Sequence, residues 1–270
     1  MPAITLLTDF GLSDTFAGAM KGVILSIAPQ AQIADLSHAV PPQDVTSGAL
    51  LLDQACRYFP LGTIHVAVVD PGVGSARRAL AIQTERYFFV GPDNGVLSLA
   101  LRNERVLGAA SLNNPQYHRQ PVSSTFHGRD IFAPVAAHLA AGVALKDLGA
   151  PVDGWVEISP PQPVVQGAEL KIHVLRVDHF GNLLTDLARE TYLNWNRRGL
   201  AVAVTAGAAR IEGLRGSFSE VPGGAPLAYF GSDGLLEIAV NGGRADQLLA
   251  LGPGAVLRLG FFENPSNPSV

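Results

Sequence analysis

Thr63-Ile64-His65-Val66-Ala67-Val68-Val69-Asp70-Pro71-Gly72 is the stretch on which the fold turns. Its apolar run from Thr63 to Val69 is rich in β-branched residues and too short for a helix, so it reads as a strand buried on both faces. It ends abruptly in Asp70-Pro71-Gly72, a turn. Ile4-Thr5-Leu6-Leu7 repeats the arrangement and runs into Thr8-Asp9-Phe10-Gly11. Turns at the carboxyl ends of buried parallel strands are where open α/β sheets place their sites. Thr125-Phe126-His127-Gly128-Arg129-Asp130 is a third turn of the same kind.

Working outward, the first half alternates strand and helix. A helix is expected over Phe16–Ala28, with Phe16, Met20, Val23, Ile24 and Ile27 on one face, Ser13 or Asp14 as cap and Pro29 as stop. Gln32–Leu36 is the next strand. Asp44 or Thr46 starts a helix to about Tyr58, and Ala79–Gln83 and Tyr87–Val90 are short strands. Ile131–Ala141 is a helix with Pro134 in its first turn and Gly142 past its end. This rhythm predicts a mostly parallel sheet with helices on both faces. Pro151, Pro160, Pro161 and Pro163 then mark a stiff linker. Beyond it strands dominate: Leu170–Val177, Leu200–Thr205, Leu227–Phe230, Leu235–Val240 and Val256–Phe261, with one helix over Arg244–Leu251. The expected organisation is an α/β domain over 1–150, a linker over 151–168 and a small all-β barrel or sandwich over 169–270, with Asn264–Val270 frayed.

Bulk properties remove several function classes. The 270 residues carry 16% charged side chains and a net charge of -4, with no basic stripe, so nucleic acid is not the expected partner. No apolar run reaches ~18 residues, so no membrane span is expected. The start of the chain lacks a basic segment, and Asp9 interrupts its apolar run, unlike a signal peptide. One cysteine, Cys56, rules out a disulfide framework and suits a reducing compartment, so a cytoplasmic protein is expected. Seven histidines are scattered without metal-ligand spacing, so no metal site is expected.

The motifs carry both plain and chemical readings. Gly72-Val73-Gly74-Ser75-Ala76-Arg77 starts like a dinucleotide fingerprint, but Arg77 stands where the third glycine belongs and no helix follows. Asp-Pro-Gly commonly makes a turn whose aspartate bonds only nearby backbone. Arg77 can fold back on Asp70 as a structural ion pair, and a histidine such as His127 is commonly a satisfied loop residue. Asp14 reads first as a cap. Asp9, at a strand end, suits a ribose diol. Asp178-His179-Phe180-Gly181-Asn182 is either a hairpin turn or a purine and amino-acid pocket, with Phe180 stacking and Asn182 hydrogen bonding. Ser232-Asp233-Gly234 and Asn241-Gly242 read as hairpin chemistry.

In order and spacing, these segments together with Met20-Lys21-Gly22-Val23, Gly91-Pro92-Asp93-Asn94-Gly95 and Glu237-Ile238-Ala239-Val240-Asn241 resemble the S-adenosylmethionine (SAM) hydrolases. This family, also called SAM hydroxide adenosyltransferases, is related to the fluorinases and chlorinases. The resemblance runs from about Ile4 to Gly260. It implies a homotrimer with active sites between the N-domain of one subunit and the C-domain of the next. It also implies hydrolysis of SAM to adenosine and L-methionine, without a cofactor. Asp70, Arg77 and His127 match the residues holding the attacking water, with Asp70 and Arg77 expected to orient it and His127 to relay its proton. Asp9 matches the ribose carboxylate. Asp178, Phe180, Asn182, Ser232 and Asn241 match adenine and methionine contacts, and Asp14 and Glu237 join the substrate-binding candidates. Halogenases carry tyrosine, threonine, serine and tryptophan where this chain has Asp70, Val73, Gly128 and Gln43, so halogenation is the disfavoured alternative. A slow SAM- or adenosine-binding sensor is the other. Asp233 stands where halogenases have an arginine that binds the methionine carboxylate.

Overall fold

The computed structural model describes residues 2–262, so the expectation for Asn264–Val270 lies outside the described residues. Two compact units divide between Ile158 and Ser159.

The first unit is built on six strands: β1 Ala3–Thr8, β2 Gln32–Ser37, β3 Ile64–Val68, β4 Ala79–Thr84, β5 Phe88–Pro92 and β6 Val106–Ser111. Their order is β2-β1-β3-β5-β4-β6. β1 pairs parallel with β2 and β3, and β3 with β5; β4 pairs antiparallel with β5 and β6. The sheet is therefore mixed, with a parallel half that carries β1 and β3. The period of two in each strand sends side chains to two cores. Ile4, Leu6, Ile64, Val66 and Val68 meet Met20, Ile24, Phe132 and Val135 on one face. Leu7, Ala67, Val69, Leu80, Ile82 and Phe89 meet Leu52 and Leu97 on the other. Helices α1 Phe16–Ile27, α2 Val45–Cys56, α3 Ser98–Leu101 and α4 Ala133–Ala140 supply most of these partners, with Leu97 and Phe132 directly before α3 and α4.

Helix ends follow local chemistry. Asp44 caps α2, accepting from Ser47 N–H at 2.9 Å, and the helix stops two residues before Tyr58. Neither Ser13 nor Asp14 caps α1. Thr15 occupies that position in helical backbone geometry and makes no side-chain cap bond. Helix α4 begins later than its pattern suggests, because a wide π-turn over Gly128–Phe132 precedes it. Such turns are frequent at functional sites. β6 and α3 have no counterpart among the expected elements. Residues 151–158, expected within the linker, pack on the first unit. Pro151 bridges to Ala110, Val156 N–H donates to Asp93 Oδ1 at 2.7 Å, and Trp155 packs on the second core.

The second unit is antiparallel: β7 Val164–Gln166, β8 Glu169–Val177, β9 Leu183–Ala188, β10 Val202–Ala206, β11 Ala209–Glu212, β12 Pro226–Phe230, β13 Leu235–Val240 and β14 Val256–Phe261. The path runs β11-β10-β14-β8-β9-β13-β12, with β7 on β8. A bridge between Leu214 and Ala228 brings the two ends of this path together, so the sheet nearly closes on itself. Ile172, Val174, Leu183, Leu187, Val204, Leu236, Ile238 and Leu257 fill its interior. Two short helices, α5 Arg189–Trp195 and α6 Ala245–Leu249, complete it. Among the described residues no helix is long and apolar enough to cross a membrane.

Candidate active site

β1 and β3 are adjacent and parallel, in a register that pairs Thr8 with Val68. Asp9 follows Thr8 directly and Asp70 comes two residues after Val68, so both leave the sheet at the carboxyl ends of these strands. Both line a cleft of about 380 Å³, together with Phe10, Phe16, Phe126 and His127. The three phenylalanines meet edge to face, with ring centroids 5.3–6.0 Å apart. Phe16, expected to face the core, is 45% exposed because it serves this wall.

Asp70 and Arg77 do fold onto one another. Arg77 Nε donates to Asp70 Oδ1 at 2.9 Å and Nη2 to Oδ2, and the side chains are only 5% and 10% exposed. Nη2 also reaches His127 Nδ1 at 2.7 Å. A guanidinium can only donate, so Nδ1 accepts and a neutral imidazole carries its proton on Nε2. Burial and the Arg77 charge both pull the His127 pKa down, against the smaller opposing effect of Asp70. Arg77 does not line the cleft; it joins the two residues that do. Gly74 makes the junction possible. It has a φ of +78°, and a Cβ there would lie 2.5 Å from the Ser124 carbonyl oxygen. The turn carrying Asp70 and the loop carrying His127 thus touch through backbone that only glycine permits.

Asp9 accepts a hydrogen bond from Gln43 N–H at 2.8 Å on Oδ2. Gln43 itself has a φ of +65°, which non-glycine residues rarely adopt. Asp130, which carried no role in the sequence reading, is wholly buried. It accepts from Arg129 Nε at 2.7 Å, Arg129 Nη2 at 2.8 Å, Ser123 N–H at 2.8 Å and Arg119 Nη1 at 3.3 Å. Burial alone would raise its pKa, but these donors hold it below the usual carboxylate range. Asp130 so ties down both sides of the loop that presents His127. The motif Gly128-Arg129-Asp130 was the available signal.

The second unit has its own pocket, of about 820 Å³, lined by Asp178, Phe180, Asn182, Ser232 and Glu237 among others. Although larger, it contains none of the residues around Asp70. Asp178 accepts from Asn182 N–H and Nδ2, both at 2.8 Å, which closes the turn and leaves Phe180 72% exposed. Glu237 accepts from the Tyr229 hydroxyl. Its pKa is raised, chiefly by burial, with Tyr229 opposing and Asp178 adding to the rise. Glu237 also backs against Gly231, where a Cβ would lie 2.0 Å from its Oε1. Two expected contacts are not brought onto either wall. Asp14 is exposed beyond the first cleft, and Asn241 spends its Nδ2 on the Val221 carbonyl at 2.8 Å. Among the described residues no group of three or more His, Cys, Asp or Glu side chains is arranged to hold a metal ion.

Comparison with known proteins bears on the whole chain. Family models described as the SAM hydroxide adenosyltransferase N-terminal and C-terminal domains match residues 4–149 and 172–258. A protein of Salinispora arenicola named (R)-S-adenosyl-L-methionine hydrolase is 44% identical, over 96% of this chain and 97% of its own. One of the same name from Thermus thermophilus is 41% identical over 96% and 100%. A fluorinase of an Actinoplanes species is more distant, at 29% identity over 70% of this chain and 72% of its own. The crystal structure of an uncharacterized conserved protein from Thermotoga maritima superposes with a TM-score of 0.88 at 35% identity, covering 95% of this chain and 99% of that one.

Proposed function

The chain belongs to the SAM hydroxide adenosyltransferase family, and on that premise we propose that it hydrolyses S-adenosyl-L-methionine to adenosine and L-methionine. The observation that carries this reading is a cleft in which Asp70 and His127, locked together by Arg77, face the same space as Asp9. The sulfonium is a cationic leaving group, so the reaction needs no cofactor, only a water aligned with the ribose 5′ carbon. As the C–O bond forms, the C–S bond breaks. Sulfur keeps the bonding pair and departs as the neutral thioether of methionine, and the water gives up a proton.

The geometry supports a particular division of labour. With Nδ1 occupied by Arg77, His127 offers the water an N–H donor rather than a base. Asp70 retains lone pairs beyond those taken by Arg77 and accepts the proton. Arg77 holds both groups and touches neither water nor substrate. This differs from the division expected from the sequence, in which Arg77 helped orient the water and His127 relayed its proton. Asp9 grips the ribose diol. Asp178, Phe180, Asn182, Ser232 and Glu237 supply adenine and methionine contacts.

Because L already fixes the α-carbon in the relatives' name, R refers to the sulfur centre, and we extend that epimer preference to this chain. The same proposal includes a homotrimer with sites completed between subunits, and a cytoplasmic setting in which the buried thiol of Cys56 stays reduced. Sedimentation tests the assembly; a fully active monomer would overturn it. The test of the chemistry is incubation with each sulfonium epimer in heavy-oxygen water containing chloride. Label is expected in the adenosine 5′-hydroxyl, with the R epimer consumed faster. A 5′-halo-5′-deoxyadenosine as main product would overturn the hydrolase reading.

A further inference from the structure

A single histidine joins two loops beneath the first-unit cleft. His38 lies just past the end of β2, and its side chain is 1% exposed. Its Nδ1 stands 2.8 Å from Thr8 Oγ1, and its Nε2 stands 3.1 Å from Asp35 Oδ1. Asp35 in turn receives Lys21 Nζ at 2.5 Å. Asp35 Oδ1 lies close to Nε2 without an aligned hydrogen bond, and an ionised carboxylate, which only accepts, favours the ring proton on that side. Thr8 Oγ1 already accepts the Phe10 N–H at 3.2 Å, and its own proton is free to turn toward Nδ1. Two backbone bonds run alongside. Gly11 N–H donates to the His38 carbonyl at 2.7 Å, and Val40 N–H to the Thr8 carbonyl at 3.4 Å.

The segments joined in this way are the two that build the surroundings of Asp9. Thr8 precedes Asp9 directly, and Gln43, which donates its N–H to Asp9, lies on the loop that leaves His38. Gln43 holds a left-handed backbone, a conformation that persists only where the surrounding structure over-determines it. A carboxylate that grips a diol with both oxygens must be set in place before the ligand arrives, because a small displacement weakens both bonds together. His38 does not line the cleft and so acts only through these neighbours.

We propose that His38 is a positioning residue for the nucleoside end of the substrate: by clasping Thr8 and the backbone of the Asp9 turn it fixes the Asp9 carboxylate and sets the affinity for ribose. This rests on the role given to Asp9 in the proposed function. Thr8 is the second member of the clasp, and its hydroxyl, not its volume, is the working part. Asp35 and Lys21 orient the ring from the surface side.

The experiment compares wild type with Thr8→Val, Thr8→Ser, His38→Ala and His38→Asn. Steady-state SAM hydrolysis, adenosine calorimetry and thermal melting are measured for each. Thr8→Val and His38→Ala are expected to raise both the KM for SAM and the Kd for adenosine about tenfold, with kcat falling no more than about threefold. Thr8→Ser restores the hydroxyl, and His38→Asn restores an acceptor near the position of Nδ1. Both are expected within about threefold of wild-type affinity. If His38→Ala fails to fold, Thr8→Val reads the same link at nearly constant volume. Unchanged affinities in Thr8→Val, or a loss of kcat with adenosine binding intact, overturn the inference while wild-type hydrolysis leaves the proposed function standing. Wild-type protein that neither hydrolyses SAM nor binds adenosine overturns both.

Discussion

In the first unit Asp70 is gripped by both arms of a guanidinium; in the second, Asp178 and Glu237 take their hydrogen bonds from an asparagine and a tyrosine. A bidentate Arg–carboxylate pair fixes direction as well as charge. Neutral donors satisfy lone pairs without clamping the charge, which the Arg176 guanidinium in the same pocket answers only in part. The first arrangement suits a group that must aim a water, and the second suits a group that must attract a cation.

The sharpest way to break this comparison is Asp70→Ala beside Asp9→Ala. Loss of Asp70 is expected to lower kcat by ~10²-fold or more with little change in SAM affinity. Loss of Asp9 removes hydrogen bonds to a charged group worth roughly 1.5–3 kcal/mol each, so SAM and adenosine should weaken together. Full turnover in the Asp70 variant, with affinity alone reduced, would make that residue a turn former. A smaller effect is expected of Glu237→Gln, which keeps an oxygen for Tyr229 but removes the charge. The KM for SAM should rise by about 2–5-fold, a typical loss for a partly solvated charge pair, while uncharged adenosine binds as before. Equal losses for both ligands would mean that Glu237 only shapes the pocket.

Acid should separate the two units in opposite directions. His65 is fully buried among Phe59, Tyr87 and Phe89, and burial pushes its pKa down to about 3. The unfolded chain, with a histidine pKa of ~6.5, binds that proton more readily. The stability involved is complete above ~6.5 and is lost as pH falls toward 3, by on the order of 1 kcal/mol per pH unit. Glu237 and Asp186 in the second unit have raised pKa values, chiefly through burial. Their contribution is present below the unfolded values of ~4 and is lost as pH rises through the folded ones. Each unit contains one tryptophan, Trp155 or Trp195. Fluorescence of Trp195→Phe and Trp155→Phe proteins should therefore report acid unfolding of the first unit before the second, by about one pH unit. His65→Leu should flatten the first transition. Coincident midpoints with an unchanged His65→Leu slope would sink this contrast.

The sequence made the parallel half of the first sheet legible because Ile4–Leu7 and Thr63–Val69 are apolar on both faces, and a buried strand has no other pattern. It also placed Asp9, Asp70 and His127 at turns, and turn chemistry is local. Asp44 was legible as a cap for the same reason. What escaped depends on partners distant in the chain. Val106–Ser111 becomes a strand by pairing with β4, and Leu183–Ala188 by joining β8 to β13. Asn241 resembled a ligand contact, and its Nδ2 is engaged by the Val221 carbonyl, a partner twenty residues away. Asp130 and His38 matter through charges and hydroxyls that no spacing rule connects to them. A mostly parallel sheet was legible, but not which strands reverse, because short strands β4 and β6 carry no sign of their direction.

The strap over residues 150–152 has a consequence for solubility. β6 ends the order of the first sheet, so without this strap its outer edge would offer bare N–H and C=O groups to any passing strand. Ser111 N–H donates to the Ala150 carbonyl at 2.8 Å and Val152 N–H to the Ala109 carbonyl at 2.9 Å, with Pro151 between them. Proline has no N–H, so the ladder stops there and cannot recruit a further chain. A fragment cut at residue 150 would keep most of the hydrophobic core and lose this seal, and is expected to associate edge to edge.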